Sequence, residues 1–478
     1  VLAKSLLSGD QVMHHHKTIG QRFREDPRLG AAKSLIHQTL EEYQHLLAGP
    51  RGGSKELADQ YRASLEEYGK WRGGRLYYPY LSSGIGKGAL VELADGSVKY
   101  DFITGIGVHY LGHSHPIMVD AALDAALEDT IMQGNLQQNS VSAELTGSLV
   151  QLACQQGADL EHCFLTSSGA MANENALKLV LHKHSPARRI LAFQRCFAGR
   201  SMVTAQITDK PQNRQGLPEV LAVDYIPFYD ERDPSGSLKA TLAALDQHLS
   251  RHPEEYAGMM LELIQGEGGY YAGDRAFFIP LMEKLKKAGL AIFVDEIQTF
   301  GRTSHLFAFQ YYGLDPYVDV VTIGKMTQVC ATLFTDQYRA AEGFISQTFT
   351  ASTSAIYAAK AILEELIHGG YLGDQGKIMQ MHHVFADGLA KIANRFPGVL
   401  SGPFGCGAMI ACTVFKGDMQ QTKVFLQELF ANGVMGFICG HSPARVRFLM
   451  PIGAVTQADI IEVCRMIEET LQNIIAKG

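Results

Sequence analysis

Along the chain the apolar positions change period several times, and each change predicts a different kind of element. Up to about residue 71 they recur at helical spacing, as in "KSLIHQTLEEYQHLLAG", with a linker-like break at "GPRGGSKE"; this predicts a helical extension over 1–75. "ALVELADGSVKYDF" then alternates apolar and polar residues around Asp95-Gly96, which predicts a hairpin within a segment 76–115. After Pro116, "IMVDAALDAALED" returns to helical spacing. From there to about residue 330, short apolar runs ("HCFLTSS", "RILAFQ", "GMMLELI", "LAIFVD", "VDVVTIG") alternate with helical stretches. That alternation predicts an α/β domain over 116–350 with a doubly wound, mostly parallel sheet. Beyond it, "AIYAAKAILEELI", "AMIACTVF" and "RVRFLMP" predict a smaller α+β unit over 351–478, and the segment 76–115 is expected to join it.

Composition narrows the class of protein. At 478 residues the chain exceeds one compact core, and 46% hydrophobic with 19% charged residues is the balance of an ordinary folded protein. A net charge of −7 without a long basic block argues against nucleic-acid binding. No apolar run reaches the roughly 18–20 residues that span a bilayer, and the first residues do not form a secretory signal, so no membrane association and a cytoplasmic location are expected. The eight cysteines show no CxxC pair or finger spacing and are expected to be reduced. Three adjacent histidines at 14–16 cannot all point one way on a helix, and no metal site is assigned to them.

Candidate chemistry sits at three strand ends, because ligands of open α/β sheets gather outside the carboxyl ends of the strands. "CFLTSSGAMANENALKLV" runs from a strand through Ser168, Gly169 and Ala170 into a helix, which offers backbone N–H groups to a phosphate. "AIFVDEIQTFGR" ends an apolar run in Asp295, and a buried carboxylate requires a cationic partner. "VDVVTIGKMTQ" ends in Lys325, either a salt-bridge partner or a nucleophile with a depressed pKa. A phosphate cradle, an acid and a lysine on one sheet rim describe a site for pyridoxal 5′-phosphate, with the lysine on the aldehyde as a Schiff base and the acid on the ring nitrogen.

At these residues the chain resembles the class III pyridoxal-phosphate aminotransferases, from about Tyr77 to the C-terminus. "SSGAMANENALKL" is similar to the family's S-G-A-E-A-N-E segment, "CFAGRS" to aromatic-H-G-R-T and "LELIQGEGG" to E-P-x-Q-G-E-G-G. "VDEIQTFGRT" is similar to D-E-V-Q-T-G-x-G-R-T. The resemblance implies the family's fold and a homodimer with active sites at the subunit interface. It implies that Lys325 carries the cofactor and Asp295 meets the ring nitrogen. Gln298 would bond near the ring hydroxyl, Phe197 would stack on the ring, and Ser168, Gly169 and Ala170 would hold the phosphate. Thr348 would reach the phosphate of the neighbouring subunit. Arg200 and Arg447 resemble the arginines that hold substrate carboxylates, and Glu267 the glutamate that pairs with the second of them. Tyr77 matches an active-site tyrosine of ornithine-type members, and Ile106 an apolar choice of 4-aminobutyrate-type members.

Several positions depart from the family pattern. Met171 stands where Glu is usual, Ala198 where His is usual, and "KMTQVCATLFT" lacks a glycine pair while resembling the lysine 6-aminotransferase branch. The implied reaction is ping-pong transfer of an amino group from an ω-amino acid or diamine (lysine-, ornithine- or 4-aminobutyrate-like) to 2-oxoglutarate or pyruvate. An epimerase, aminomutase or lyase on the same scaffold stays open, as does a binding protein that has lost catalysis.

Overall fold

The computed structural model describes residues 17–129 and 133–477; histidines 14–16 lie outside them. The N-terminal extension is helical: α1 (Ile19–Arg24), α2 (Pro27–Gln44) and α3 (Lys55–Arg72), each started by a capping side chain, Thr18, Asp26 and Ser54. Next come β1 (Ser82–Lys87), β2 (Leu90–Leu93) and β3 (Val98–Asp101), the last two forming the hairpin expected around Asp95-Gly96. Then α4 (Pro116–Leu127) opens with His115, whose Nδ1 accepts the Ile117 N–H, and His113 bonds Asp101 at 2.9 Å. Both histidines shape this entry.

After α5 (Ser140–Cys154) the chain lays down β4 (His162–Thr166), α6 (Gly169–Lys183), β5 (Arg189–Phe193), β6 (Ala222–Ile226), α7 (Pro234–Arg251) and β7 (Tyr256–Leu261). It continues with α8 (Arg275–Lys287), β8 (Ala291–Glu296), β9 (Val320–Ile323) and β10 (Cys330–Phe334). The seven strands order as β4-β10-β9-β8-β7-β5-β6. All neighbours pair in parallel except β10, which is antiparallel to both β4 and β9. The sequence reading did not mark β10: "CATLF" follows Lys325 so closely that it cannot be a helical crossover strand, and it returns antiparallel instead.

Strand β8 shows why the central runs are continuously apolar. Ala291 and Phe293 face the cluster with Ala176, Leu177 and Val180 of α6, while Ile292 and Val294 enter the main core on the opposite face. Both faces being covered, period-two alternation no longer appears as alternation of polarity.

The remaining elements are α9 (Thr353–His368), α10 (Lys377–Arg395), β11 (Leu400–Cys406), β12 (Met409–Val414), α11 (Met419–Ala431), β13 (Val434–Met435), β14 (Phe437–Cys439), β15 (Arg445–Leu449) and α12 (Gln457–Lys477). The second sheet, β11-β12-β15-β14, is antiparallel and carries α10. The short β13 leaves it and pairs in parallel with β3. Helix α9 packs on α4 and α5. Its apolar face (Ile356, Ala359, Ile362, Leu363) matches that helix–helix contact.

Phe385 on α10 is fully buried and packs edge-on to Phe102, 5.7 Å between centroids, and at 5.1 Å to Phe448 of β15. It therefore pins the N-terminal segment to the C-terminal sheet. Phe385→Ala is expected to destabilise the fold by about 3–5 kcal/mol, read from the denaturant midpoint; a loss of under about 1 kcal/mol would show that this contact does not hold the two parts together.

Candidate functional site

The same alternation that buries β8 separates the two carboxylates at its end. Asp295 continues the face of Ala291 and Phe293, toward α6, and Glu296 takes the opposite one. Glu296 is fully buried and accepts N–H groups of Ala308 and Phe309 at 2.7 and 2.8 Å, which ties down the chain after the strand. Asp295 opens on a cleft of roughly 670 Å³ at the strand ends.

Asp295 is held with care and without a cation. Its Oδ1 accepts the Ile297 N–H at 2.8 Å, and Oδ2 accepts from Asn173 Nδ2 at 2.7 Å. Asn173, on α6 and buried, is itself fixed, donating to the Ala198 carbonyl and accepting from Thr322 Oγ1 of β9 at 2.8 Å. Among the described residues no Lys, Arg or His forms an ion pair with Asp295. Burial pushes its carboxyl up to about 6, opposed by those two hydrogen bonds and the charge of Lys325.

Lys325 follows β9 across Gly324 and takes a left-handed backbone, φ 54°. Its amine lines the cleft and makes no hydrogen bond or ion pair among the described residues; burial lowers its pKa, with Glu267 and Asp295 pulling the other way. The N-terminus of α6 forms the third wall. Ser168 caps it by accepting the Met171 N–H at 3.3 Å, and the N–H groups of Gly169 and Ala170 meet no acceptor among the described residues. A Cβ on Gly169 would lie 2.9 Å from Ile297, and one on Gly199 2.6 Å from Thr204 Oγ1, so both backbones pass too closely for a side chain.

Phe197 and Arg200 reach the cleft from the loop after β5, and Gln298 and Glu267 from the other side. Arg447 of β15 is fully buried and pairs with Glu267 at 2.5 Å, while its Nη1 lies 3.4 Å from Gln298 Oε1. Arg200 is exposed at the mouth, so one arginine is covered by a carboxylate and the other faces outward.

Besides Ser168, which caps α6, and Arg447, which meets the cleft through Glu267, three expected residues do not line it. Thr348 is exposed beside Gly134 on the outer surface of the protomer. Tyr77 stacks edge-on against Phe437 at 4.8 Å, and Phe437 in turn lies under the Arg447 guanidinium at 5.5 Å, so Tyr77 touches the site through one ring. Ile106 sits in a left-handed run with Gly105 and Gly107 (φ 65°, 62° and 85°), and that turn points the following Val108 and His109 into the cleft instead.

Sequence reasoning also missed Asn173 and Glu262. Asn173 carried a signal, an amide in the first turns of a helix facing a buried strand-end acid. Glu262 is buried, accepts N–H groups of Phe197 and Gly266 at 2.8 and 3.1 Å, and is pushed up to about 8 by burial and then by Asp295. It was hidden because "LELI" reads as a strand interior.

These residues fit pyridoxal phosphate on their own terms. A cation-free buried acid suits a protonated ring nitrogen, two open N–H groups at a helix start suit a phosphate, and a depressed lysine suits an aldehyde.

Comparison with known proteins agrees with that fit. A family model described as Aminotransferase class-III matches residues 80–471. Acetylornithine aminotransferase 1 of Bradyrhizobium diazoefficiens is 30% identical over 390 residues, covering 78% of this chain and 88% of its own; the acetylornithine aminotransferase of Synechocystis sp. is 27% identical over 405 residues, covering 82% and 89%. Among solved structures, lysine aminotransferase from M. tuberculosis superposes with a TM-score of 0.76 at 22% identity, covering 86% of this chain and 99% of its own. Ornithine aminotransferase from Toxoplasma gondii ME49 gives 0.74 at 20%, covering 92% and 99%. With four-fifths of its length inside the family model and its strand-end acid, lysine and phosphate turn in place, the chain belongs to the class III aminotransferases and is a pyridoxal-phosphate-dependent transaminase.

Proposed function

We propose that the enzyme moves an amino group from an ω-amino acid or diamine, of the lysine, ornithine, acetylornithine or 4-aminobutyrate type, to 2-oxoglutarate or pyruvate. The observation that carries this reading is the Glu267–Arg447 ion pair beside Lys325. A donor with no carboxylate at its reacting carbon leaves Arg447 without a ligand, and a buried guanidinium needs one. Glu267 fills that place, and moves aside when an oxo acid presents its own carboxylate. The curated relatives named for acetylornithine and the neighbours named for lysine and ornithine point to donors of the same kind.

In this proposal Gly169 and Ala170 hold the cofactor phosphate, with Ser168 fixing their helix start. Phe197 would cover one ring face, Gln298 would lie near the ring hydroxyl, Asp295 would face the ring nitrogen and Lys325 would join the aldehyde. Bound pyridoxal phosphate supplies an electron-accepting ring that stabilises the charge left when a substrate C–H bond breaks. Lys325, once freed by the donor amine, would take the proton from the substrate carbon at its Nζ and return it on the cofactor side of the nitrogen. Asp295 keeps its negative charge where Asn173 and the Ile297 N–H have fixed it. Arg200 holds the distal carboxylate of donor or acceptor, with Tyr77 and Ile106 shaping the approach. Thr348 completes the phosphate site of the partner subunit, which makes the enzyme a homodimer. Residues 116–350 and α9 form the cofactor domain, and 76–115 joins the C-terminal unit. No described helix is long and apolar enough to cross a membrane, and a cytoplasmic location is part of the proposal.

Mixing the loaded enzyme with ω-amino acids and diamines in the absence of oxo acid tests the donor class. The visible band of the lysine-bound cofactor is expected to give way to that of its amine form for at least one of them; conversion by α-amino acids alone would overturn the assignment. Lys325→Ala is expected to fold normally and lose at least about a thousand-fold in turnover; near-normal turnover would refute its role. Glu267→Gln is expected to lower kcat/KM for the ω-amine donor about ten-fold while changing the oxo-acid half-reaction less than about two-fold. Equal losses in both would make Glu267 merely structural.

Asp295 also predicts a pH dependence. Its folded pKa of about 6 lies above the 3.8 of a free aspartate, so the folded cofactor-free protein binds more protons between these values. The contribution of Asp295 to stability is therefore full below about pH 4 and is lost as pH rises through about 6. Denaturant midpoints of cofactor-free Asp295→Asn should show a shallower fall across that window than wild type, and parallel curves would place the titration elsewhere.

A further inference from the structure

A second cleft, of roughly 620 Å³, lies between the cofactor domain and the C-terminal sheet and takes no part in the reaction described above. Its wall carries Arg445, two residues before Arg447 on β15 and therefore on the same face of the strand. The two arginines are neighbours: Arg447 pairs with Glu267, which lines the first cleft, whereas Arg445, which lines the second, has no carboxylate partner among the described residues.

Arg445 is 6% exposed, and its charge is stabilised only in part. Its guanidinium lies between two rings, 3.6 Å from the centroid of Phe404 and 4.2 Å from that of Tyr271. Nη1 donates to the Gly269 carbonyl at 2.6 Å. Nε is enclosed with no acceptor, and Nη2 has none among the described residues. The Nε–Nη2 edge is the side of a guanidinium that grips an oxyanion with two parallel N–H bonds, and the rings on either side hold it in one orientation. A desolvated donor without an acceptor is costly, and an anion in this cleft would supply the acceptor that the described residues do not.

The surroundings select the sign of the ligand. Arg195, Arg232 and Lys416 also line this cleft, against the acids Asp230 and Glu231, and Asp230 is already engaged by Arg232 at 2.9 Å. Arg195 stacks on the outer face of Tyr271, 5.2 Å from its centroid, so a second cation stands at the mouth over the ring that flanks Arg445. Gln265, 1% exposed and also lining the cleft, leaves its Oε1 without a donor.

We propose that this second cleft binds a small oxyanion, a carboxylate or a phosphate group, seated against the Nε–Nη2 edge of Arg445 with Arg195 and Lys416 at its mouth. The ligand is one that also carries a hydrogen-bond donor, met by Gln265. The site does not depend on which amino donor the enzyme uses. It bears on the active site through the backbone, because Arg445 holds Gly269, two residues from Glu267, and the Glu267 carbonyl is held by Gly440 N–H at 2.8 Å.

The test uses the pyridoxal-phosphate-loaded enzyme, in which the cofactor's phosphate site is filled. Crystals soaked in inorganic phosphate, or separately in succinate, are expected to show the anion against Arg445 in at least one case; stronger occupancy by phosphate assigns a phosphorylated ligand, and by succinate a carboxylate. Titration should show at least ten-fold weaker binding of that anion to Arg445→Met and partial recovery in Arg445→Lys. If Arg445→Met does not fold, Arg195→Ala and Lys416→Ala at the mouth should each weaken binding several-fold. An empty cleft in both soaks, anion found only at Arg200 or Arg447, or affinity unchanged by the mouth variants would overturn the proposal.

Discussion

Everything at the site follows from the burial of one carboxylate with no cation beside it. Asp295 sits at the end of a strand covered on both faces, and two hydrogen bonds from Ile297 and Asn173 fix its position without neutralising its charge. A lysine or arginine partner would satisfy the same carboxylate and leave nothing for a ligand to complete. The arrangement works because α6 supplies both the amide that orients Asp295 and the open N–H groups a short distance along, so one helix start sets the acid and the anion site relative to each other.

The acids around this centre divide the labour by environment. Glu296, one residue on, is turned to the other face and holds the following chain by two N–H bonds. Glu262 lies buried near Asp295 and is pushed toward neutrality, which limits how much negative charge accumulates beside the lysine. Glu267 alone meets a fixed cation, and it stands half-exposed, able to move. Four carboxylates within two short segments thus differ in charge and mobility because the strand pleat and the depth of burial differ at each.

Much of this was legible from sequence because strand ends and helix starts are local events. The turn at Ser168–Gly169–Ala170, Asp295 and Lys325 each announce themselves by an apolar run ending in a polar group, and the structure gathers Gly169, Ala170, Asp295 and Lys325 in one cleft, with Ser168 capping the helix start. What stayed hidden depended on contacts across the chain. Asn173 is an ordinary helical amide until β8 and β9 place Asp295 and Thr322 on either side of it. Ile106 and Val108 differ only in which of them a left-handed turn directs inward, and apolar patterning carries no information on that. The placement of α9 is of the same kind: its apolar stripe says that it packs, and not that its partners are α4 and α5.

The pairing of β13 with β3 has a bearing on how the chain comes to be folded. Val434 and Met435 lie opposite Tyr100 and Asp101, so the sheet begun by the first strands is closed only by residues more than three hundred positions later. Until then β3 presents an open edge with unpaired backbone groups, the kind of edge that recruits other strands. Contacts of such separation in sequence form late and slowly. The seven strands of the large sheet all lie between residues 162 and 334, so its pairings span shorter stretches of chain and can form before β13 reaches β3.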